Sequence, residues 1–385
     1  MKVPLVNVSA TEATCRREVV KAGLAGLGAG ALAGCSRREN SPMPRPSKNA
    51  IKWKGQSFHP ATSPSFEPFV RFCAYVADLS DGQLTIEPRA TGDIVPTMQM
   101  FEAASTGKLD LIATTPTYAA DTIPGAAFLS SYPLGLDRPD QWETWYYDLG
   151  GLDLARRVHA PHGIYFLAPI QHDLNIIHSR VPIRSFEDFR GKKLRMPGGL
   201  IAEVFDAAGA KTIFTPGDQV YPALQSGVID AADFSGPATN FTYGYANVAK
   251  YIILGPRTTP CIHQPVDLHA VLVNLQQWDA LPRHLQDVLE YAVRRYSWDH
   301  YAFIQKENTL VWEKYKEKGV TILRLSEADV AKFRRVAVPL WFKWAKKDAL
   351  AHEAFASQLE YLKNPSVAYV TDDMLVDGKG NKLTL

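Results

Sequence analysis

The stretch between residues 191 and 234 constrains the fold more than any other part of this 385-residue chain. It reads GKKLRMPGGLIAEVFDAAGAKTIFTPGDQVYPALQSGVIDAADF, in which short apolar segments alternate with helical patterns and stop at glycine or proline. This alternation predicts strand, helix, strand, helix and strand in close succession. The sequence therefore indicates an open α/β sheet.

Two opposite charges stand at the ends of the outer strands of this stretch. Arg195 ends the first strand, and Asp233 ends the last. Ligands of open α/β sheets bind in the crevice outside the carboxyl ends of the strands. An arginine at that place suits a small carboxylate held by two hydrogen bonds. The alternative is an internal salt bridge between Arg195 and Asp233.

Length and composition narrow the classes of protein. A chain of 385 residues, 46% hydrophobic and 21% charged, is typical of globular proteins with two domains. The net charge of +2 comes without a basic cluster in the body of the chain, so nothing indicates binding to nucleic acid. The sequence also lacks the zinc-protease, serine-hydrolase, phosphate-loop and Cys-x-x-Cys motifs.

Residues 1–35 have the pattern of an export signal. Arg16 and Arg17 precede a Gly/Ala-rich apolar stretch, which resembles a twin-arginine signal. The sequence LAGC, which ends at Cys35, resembles a lipoprotein cleavage site, so we expect a periplasmic protein held on a membrane by acyl chains on Cys35. The alternative is a plain cleaved signal. Residues 36–50 then form a polar, Pro-rich tether.

Of the four cysteines, Cys73 and Cys261 remain in the body of the chain. An oxidising compartment would allow them to pair. Cys73 lies on the apolar face of a predicted helix, and Cys261 lies in a distant connection between prolines. We therefore expect two separate buried thiols.

The rest of the body predicts two α/β lobes joined by a hinge. Lobe 1 comprises residues 51–170 and 267–310, and lobe 2 comprises residues 171–266. A faint repeat supports this division, because STGKLDL at 105–111 and QSGVIDA at 225–231 share the pattern of helix end, glycine and strand. Extended segments that cross between two lobes allow a cleft to close on a ligand. A common turn type is the alternative explanation of the repeat.

Residues 311–385 are predicted to form a helical arm. Its apolar residues are more numerous than a lone surface helix requires. Packing on a second subunit would explain them and would make the protein a homodimer. The alternative is that the arm packs on its own domain.

A set of polar residues forms the candidate site: Arg195, Asp233, Asn175 and Gln264. Its hard oxygen atoms favour Ca²⁺ or Na⁺ over Zn²⁺ or Cu²⁺. A 2-oxo or 2-hydroxy acid would add two oxygens to the same coordination shell. The ten histidines are scattered in the sequence, and each is more typical of a surface or core position than of a ligand contact.

At these residues the chain resembles a known family. The segments GKKLRMP (191–197), DAADFSGP (230–237), VLVN (271–274) and WDALP (278–282) are similar to the DctP-type substrate-binding proteins of tripartite ATP-independent periplasmic (TRAP) transporters. The resemblance covers about residues 51–360. It implies a receptor that binds a pyruvate-like or lactate-like acid with a metal ion, delivers it to a membrane permease and dimerises through a C-terminal helix.

The resemblance also implies roles for individual residues. Arg195 would bind the carboxylate, while Asp233, the backbone carbonyl of Phe234 and Gln264 would bind the metal. Gln264 departs from the Glu of some relatives, which leaves the choice between Ca²⁺ and Na⁺ open.

Three further positions would contact the acid. Asn175, or Gln171 if the register shifts, would bind it from lobe 2, and Tyr118 and Phe58 would close over it or pack in the core. The competing functions are a metal-dependent enzyme acting on 2-oxo acids, with Asp233 or a histidine as base, and a receptor that reports to a sensor kinase.

Overall fold

The structure is a computed structural model that describes residues 50–367 and 370–385. The predicted signal, its Cys35 and the tether up to residue 49 lie outside the described residues. The strands are β1 (Ile51–Ser57), β2 (Leu84–Arg89), β3 (Leu111–Thr114), β4 (Ile164–Ile170), β5 (Ile177–Ser179), β6 (Lys193–Met196), β7 (Lys211–Phe214), β8 (Ala231–Asp233), β9 (Tyr251–Leu254), β10 (His269–Asn274) and β11 (Thr321–Arg324).

Helices surround these strands. The α-helices are α1 (Phe66–Leu79), α2 (Met100–Ser105), α3 (Pro139–Tyr147), α4 (Gly151–His159), α5 (Gly199–Ala207), α6 (Gly217–Ser226), α7 (Pro237–Thr242), α8 (Tyr245–Val248), α9 (Leu275–Asp279), α10 (Arg283–Glu317), α11 (Glu327–Ala345) and α12 (Ala349–Leu362). Short 3₁₀ helices cover Thr97–Gln99, Pro116–Ala119, Pro124–Phe128, Ala160–His162, Phe186–Phe189 and Asp372–Met374.

The strands form two mixed sheets. In the first sheet the order is β2-β1-β3-β10-β4, with β1 parallel to β2 and β3, and with β10 antiparallel to β3 and β4. In the second sheet the order is β11-β9-β5-β8-β6-β7, with β6 parallel to β7 and β8. This two-sheet α/β architecture confirms the predicted fold class.

The stretch from 191 to 234 folds as its pattern predicts. It contains β6, α5, β7, α6 and β8 in that order. Because β6 and β8 are parallel neighbours, with Arg195 opposite Ala232, the carboxyl ends of both strands reach the same edge of the sheet. Arg195 and Asp233 therefore lie side by side.

Two extended segments, 171–176 and 255–268, lead from one sheet to the other. They hydrogen-bond to each other, because Asn175 N donates to Gln264 O at 3.0 Å and Asp267 N donates to Asp173 O at 2.9 Å. The two connecting segments are thus paired where they pass between the sheets.

The long helix α10 makes a further connection. Its first half packs on the core of the first sheet through Leu289 and Val293, and its last turns pack on the second sheet through Val311 and Tyr315.

Among the described residues, no helix combines the length and the apolar character that crossing a bilayer requires.

Residues 311–385 contain the end of α10, the strand β11 and the helices α11 and α12. β11 pairs with β9 and so belongs to the second sheet. The apolar side chains of α11 and α12 pack on their own chain: Phe333 contacts Phe189 and Phe205, and Trp341 contacts Tyr132. Since this packing accounts for the apolar residues, they give no support to a partner subunit.

The short repeat has a structural basis. Gly107 and Gly227 both end a helix with positive φ, at +76° and +78°, which glycine adopts without strain. Each is followed by an aspartate whose carboxylate accepts a backbone N–H from a neighbouring strand, Lys54 N to Asp110 at 2.7 Å and Lys193 N to Asp230 at 2.9 Å. Both sheets therefore use the same device to hold a strand next to a helix end.

The Asp110 carboxylate provides a test of this device. Asp110→Ala leaves the partly buried Lys54 N–H without its acceptor, and a typical hydrogen bond contributes about 0.5–1.5 kcal/mol. We expect the free energy of unfolding to fall by that amount in urea denaturation followed by circular dichroism. Asp110→Asn keeps an acceptor oxygen and should lose less. Equal midpoints for Asp110→Ala and the unchanged protein would contradict this account.

Candidate functional site

A narrow pocket lies between the sheets at the carboxyl ends of β6 and β8. Its free volume is about 20 Å³. Most of the predicted site residues line it, namely Phe58, Tyr118, Asn175, Arg195, Asp233, Phe234 and Gln264. The structure adds His59, Asp267 and His269 to this wall.

The guanidinium of Arg195 is held in one orientation and is buried. Its Nε donates to the backbone carbonyl of Thr215 at 2.9 Å, and its Nη1 donates to the backbone carbonyl of Asp233 at 2.7 Å. The ring of Phe234 lies 5.4 Å away. In the described part of the chain, Nη2 has no hydrogen-bond partner. One donor of this fixed cation is therefore free for a ligand in the pocket.

The carboxylate of Asp233 is fully buried between two cations. His263 Nε2 lies 2.8 Å from Oδ1, while Arg195 Nη1 lies 3.4 Å from Oδ2, which is long for a hydrogen bond. Although burial lowers the pKa of His263, Cys261 and Asp233 raise it to about 10, so the imidazole is charged at neutral pH. The salt bridge considered from the sequence exists, and it forms part of the pocket wall.

Amide and acid side chains from the connecting segments complete the wall. Asn175 Nδ2 donates to Gln264 Oε1 at 3.1 Å, and Gln264 Nε2 donates to Asp267 Oδ1 at 3.0 Å. Burial raises the pKa of the Asp267 carboxyl to about 7. Asn175 Oδ1 is buried and has no partner among the described residues. The pocket thus contains an amide oxygen whose bonding capacity is unused.

Aromatic rings from the first-sheet side cover the pocket. Phe58 meets Tyr118 edge to face, with ring centroids 6.1 Å apart, and Tyr118 meets Phe214 in the same way at 6.1 Å. Phe58 is buried and belongs to the hydrophobic core, and Tyr118 packs against it. Both sequence alternatives, core packing and pocket contact, therefore apply to these two rings.

Gln171 does not line the pocket. Its Nε2 donates to the backbone carbonyl of Pro139 at 3.1 Å, which turns the side chain toward α3. Asn175, and not the alternative Gln171, is therefore the residue of this segment that reaches the pocket.

Cys73 and Cys261 are both buried free thiols, and Cys261 Sγ lies 3.4 Å from His263 Nδ1.

The sequence indicated surface or core roles for His59, His263 and His269 in preference to a ligand contact, and Asp267 was not among the predicted site residues. His263 and Asp267 flank Gln264 within a few positions, so their closeness to a predicted ligand was a usable signal. His59 and His269 carried no such signal, because their nearest predicted partners in the folded protein are far away in the sequence.

The donor atoms of the pocket suit a hard cation. Asp233 and Asp267 provide carboxylate oxygens, and Asn175 Oδ1 is an unpaired buried amide oxygen. Ca²⁺ and Na⁺ take oxygen ligands of these kinds. The residues present therefore fit the cation expected from the sequence.

Comparison with known proteins decides the family. The model of DctP, the bacterial extracellular solute-binding protein family 7, matches residues 56–348, most of the chain. The chain belongs to this family. As a family 7 solute-binding protein it is a receptor and not an enzyme, which removes the enzymatic alternative.

Individual relatives of this family 7 protein agree. A monocarboxylate 2-oxoacid-binding periplasmic protein of Nostoc sp. is 28% identical over 278 residues, which cover 72% of this chain and 74% of that protein. A solved TRAP periplasmic solute-binding protein of Rhodobacter sphaeroides, in an apo open form, is 30% identical, with a TM-score of 0.64 over 82% of this chain and 99% of that one. The protein is thus a TRAP transporter solute receptor.

A further solved structure shares the fold. This TRAP periplasmic solute-binding protein of Pseudoalteromonas atlantica contains sodium and pyruvate. It is 22% identical, with a TM-score of 0.73 over 83% of this chain and 98% of that one.

Gly236, just after β8, packs closely against Asp173 in the connecting segment 171–176. A substitution of Gly236 tests this close approach. A Cβ at this position would lie 1.6 Å from Asp173 Oδ2, whose carboxylate is held by Asn308 Nδ2 at 2.5 Å. We expect Gly236→Ala to destabilise the protein by about 1–3 kcal/mol through overpacking. A thermal unfolding scan measures this.

The matched control is Gly378→Ala, because a Cβ at Gly378 meets no atom within 4 Å. Its midpoint should equal that of the unchanged protein. Equal midpoints for both variants would show that the close approach at Gly236 is absent in solution.

Proposed function

We propose that this receptor binds a small 2-oxo or 2-hydroxy monocarboxylate, of the size of pyruvate or lactate, together with Ca²⁺ or Na⁺. The observation that carries the proposal is the buried, fixed guanidinium of Arg195, which lines the pocket with one donor unused. A buried donor without a partner costs about 1–3 kcal/mol. A ligand carboxylate would remove this cost and add a charge-assisted hydrogen bond.

The charges of the pocket support a monoanion. Arg195 and His263 are positive, Asp233 is negative, and Asp267 is close to the middle of its titration at neutral pH. With Asp267 ionised these four groups sum to zero, so a monoanion with Na⁺ leaves the site neutral, whereas a dianion would need Ca²⁺ for the same balance. One negative ligand with one cation keeps the buried charge small, which limits the desolvation cost.

The cation would be held by Asp233, by the carbonyl of Phe234 and by Gln264. Asp233 Oδ2 is weakly bonded in the structure, and Gln264 Oε1 accepts only the Asn175 amide among the described residues. When bound, the cation would join the carboxylate oxygen and the 2-oxygen of the acid. The sodium and pyruvate of the Pseudoalteromonas protein support this pairing.

The pocket is nearly closed in this structure. Its free volume of about 20 Å³ has room for about one water molecule, so an acid would enter only when the walls move apart, and a short acid requires the least movement. Phe58 and Tyr118 close the first-sheet side with apolar rings, which suit the methyl end of a three-carbon acid.

The remaining parts of the proposal rest on the sequence. As a TRAP receptor, the protein would hand the acid to the membrane permease of its transporter. Export by the twin-arginine route and acylation at Cys35 would keep it near that permease. A homodimer stays part of the proposal on the resemblance alone.

Replacing Arg195 tests the carboxylate contact. We expect Arg195→Ala to weaken pyruvate binding by roughly 100-fold, because a hydrogen-bonded charge pair contributes about 1.5–3 kcal/mol. Arg195→Lys keeps the charge but loses the planar fork, and should give an intermediate loss. Isothermal titration calorimetry measures both.

Arg184 offers a matched control, since it is an exposed arginine that precedes β6, the strand that carries Arg195, and does not line the pocket. Arg184→Ala should bind pyruvate as the unchanged protein does. Circular dichroism and thermal unfolding would establish that the variants are folded. Unchanged affinity in folded Arg195→Ala would remove Arg195 from the site.

Removing the cation tests the shared coordination. After treatment with a chelator and exchange into a sodium-free buffer, we expect pyruvate affinity to fall by roughly tenfold or more, which corresponds to about 1.4 kcal/mol. Adding back Ca²⁺ or Na⁺ separately should restore it and identify the preferred ion. Affinity that does not depend on either ion would exclude a cation shared with the acid.

A further inference from the structure

Three histidines meet at one edge of the first sheet, although they are far apart in the sequence. His59 follows β1, His172 follows β4, and His269 begins β10. Because β10 runs antiparallel to its neighbours, its first residue lies at the edge where β1 and β4 end. The topology of the sheet therefore brings the three imidazoles together.

The three rings are close enough to share one ion. One nitrogen from each lies within 4.8 Å of the others. The ring centroids of His172 and His269 are 4.2 Å apart, and those of His59 and His269 are 5.2 Å apart. In a tetrahedral zinc site with bonds of about 2.0–2.1 Å, ligand nitrogens are about 3.4 Å apart. Small rotations of the rings would give this spacing.

The cluster is buried, and one of its three rings, His59, lacks hydrogen-bond partners among the described residues. His59, His172 and His269 are 2%, 0% and 3% exposed. Neither ring nitrogen of His59 has a hydrogen bond within the described residues. A buried polar group without a partner is costly, and native structures usually provide a partner for it. The unpaired ring of His59 therefore indicates that a bound group, which is not part of the protein chain, contacts it.

The ring of His172 is held by its neighbours. His172 Nδ1 lies 2.5 Å from Asp173 Oδ1, and its other nitrogen, Nε2, lies 3.1 Å from Ser65 Oγ. A carboxylate on the far nitrogen of a histidine is the usual outer support of a metal ligand.

We propose that His59, His172 and His269 bind one divalent transition-metal ion, with Zn²⁺ as the probe of this class. Imidazole nitrogens select such ions, and Ca²⁺ and Na⁺ prefer oxygen. This site is therefore chemically distinct from the oxygen site of Asp233 and Gln264. It does not depend on the identity of the acid.

The fourth position of this ion would face the pocket. Three protein ligands leave one position open in a tetrahedral site. Asp267 Oδ2 lies 3.6 Å from His269 Nε2, and His59 and His269 line the same pocket as Arg195. Asp267 or a bound anion would fill the open position, so the ion would add a second anchor opposite the guanidinium.

The experiment uses the full chain without an affinity tag, because a histidine tag binds zinc itself. The protein is treated with a chelator, freed of it, and titrated with Zn²⁺ by calorimetry in millimolar Ca²⁺, which keeps the oxygen site filled. We expect one Zn²⁺ per chain with a Kd of about micromolar or tighter. Co²⁺ in place of Zn²⁺ should give the strong visible absorption of a tetrahedral ion.

The variants His59→Gln and His269→Gln each remove one ligand and should weaken Zn²⁺ binding by roughly 100-fold or more. His159→Gln is the matched control, since His159 is equally buried but lies on α4 outside the cluster. It should bind Zn²⁺ as the unchanged protein does. Zn²⁺ uptake measured with no organic acid present separates this inference from the proposed acid binding.

Two results would overturn the inference. The first is that the unchanged protein takes up no Zn²⁺ and no Co²⁺ under these conditions. The second is that folded His59→Gln and His269→Gln bind Zn²⁺ as tightly as the His159→Gln control, which would place the ion elsewhere on the chain.

Discussion

The buried contact between Arg195 and Asp233 is the interaction on which the architecture of the site depends. Two charges removed from water are stable together only if their remaining hydrogen-bonding atoms are satisfied. Here Thr215 O and Asp233 O hold the guanidinium, and His263 holds the acid. Among the described residues, Nη2 of Arg195 has no hydrogen-bond partner. The fold therefore holds this positively charged donor in place for a ligand, while the contact between Arg195 and Asp233 stays intact.

The pocket and the connections between the sheets are built from the same residues. Asn175 and Gln264 join the two connecting segments through both backbone and side-chain hydrogen bonds. A ligand that contacts these amides therefore contacts the segments about which the two sheets would move. If the sheets close about these segments, as the sequence predicts, ligand binding would be coupled to their relative position.

The two walls of the pocket differ in chemistry. The wall on the second-sheet side presents an arginine, a carboxylate and amide oxygens, while the wall on the first-sheet side presents aromatic rings and imidazoles. Asp267 lies between them, since it contacts Gln264 on one side and approaches His269 on the other. The raised pKa of this carboxyl follows from its burial at the meeting point of the two walls.

The sequence by itself determined the elements whose signals are local. The alternation from 191 to 234 and the glycine turns at 107 and 227 each depend on neighbouring residues, and the structure shows the strands and helix ends that they predict. Arg195 and Asp233 were predictable as neighbours for the same reason, since the order of a few adjacent strands fixes which ends meet.

The tertiary structure alone decided contacts between distant segments. It placed β11 in the second sheet and the apolar faces of α11 and α12 on their own chain, and it gathered His59, His172 and His269 at one sheet edge. No local pattern encodes these contacts, because strand order and helix packing across more than a hundred residues depend on the free energy of the whole core.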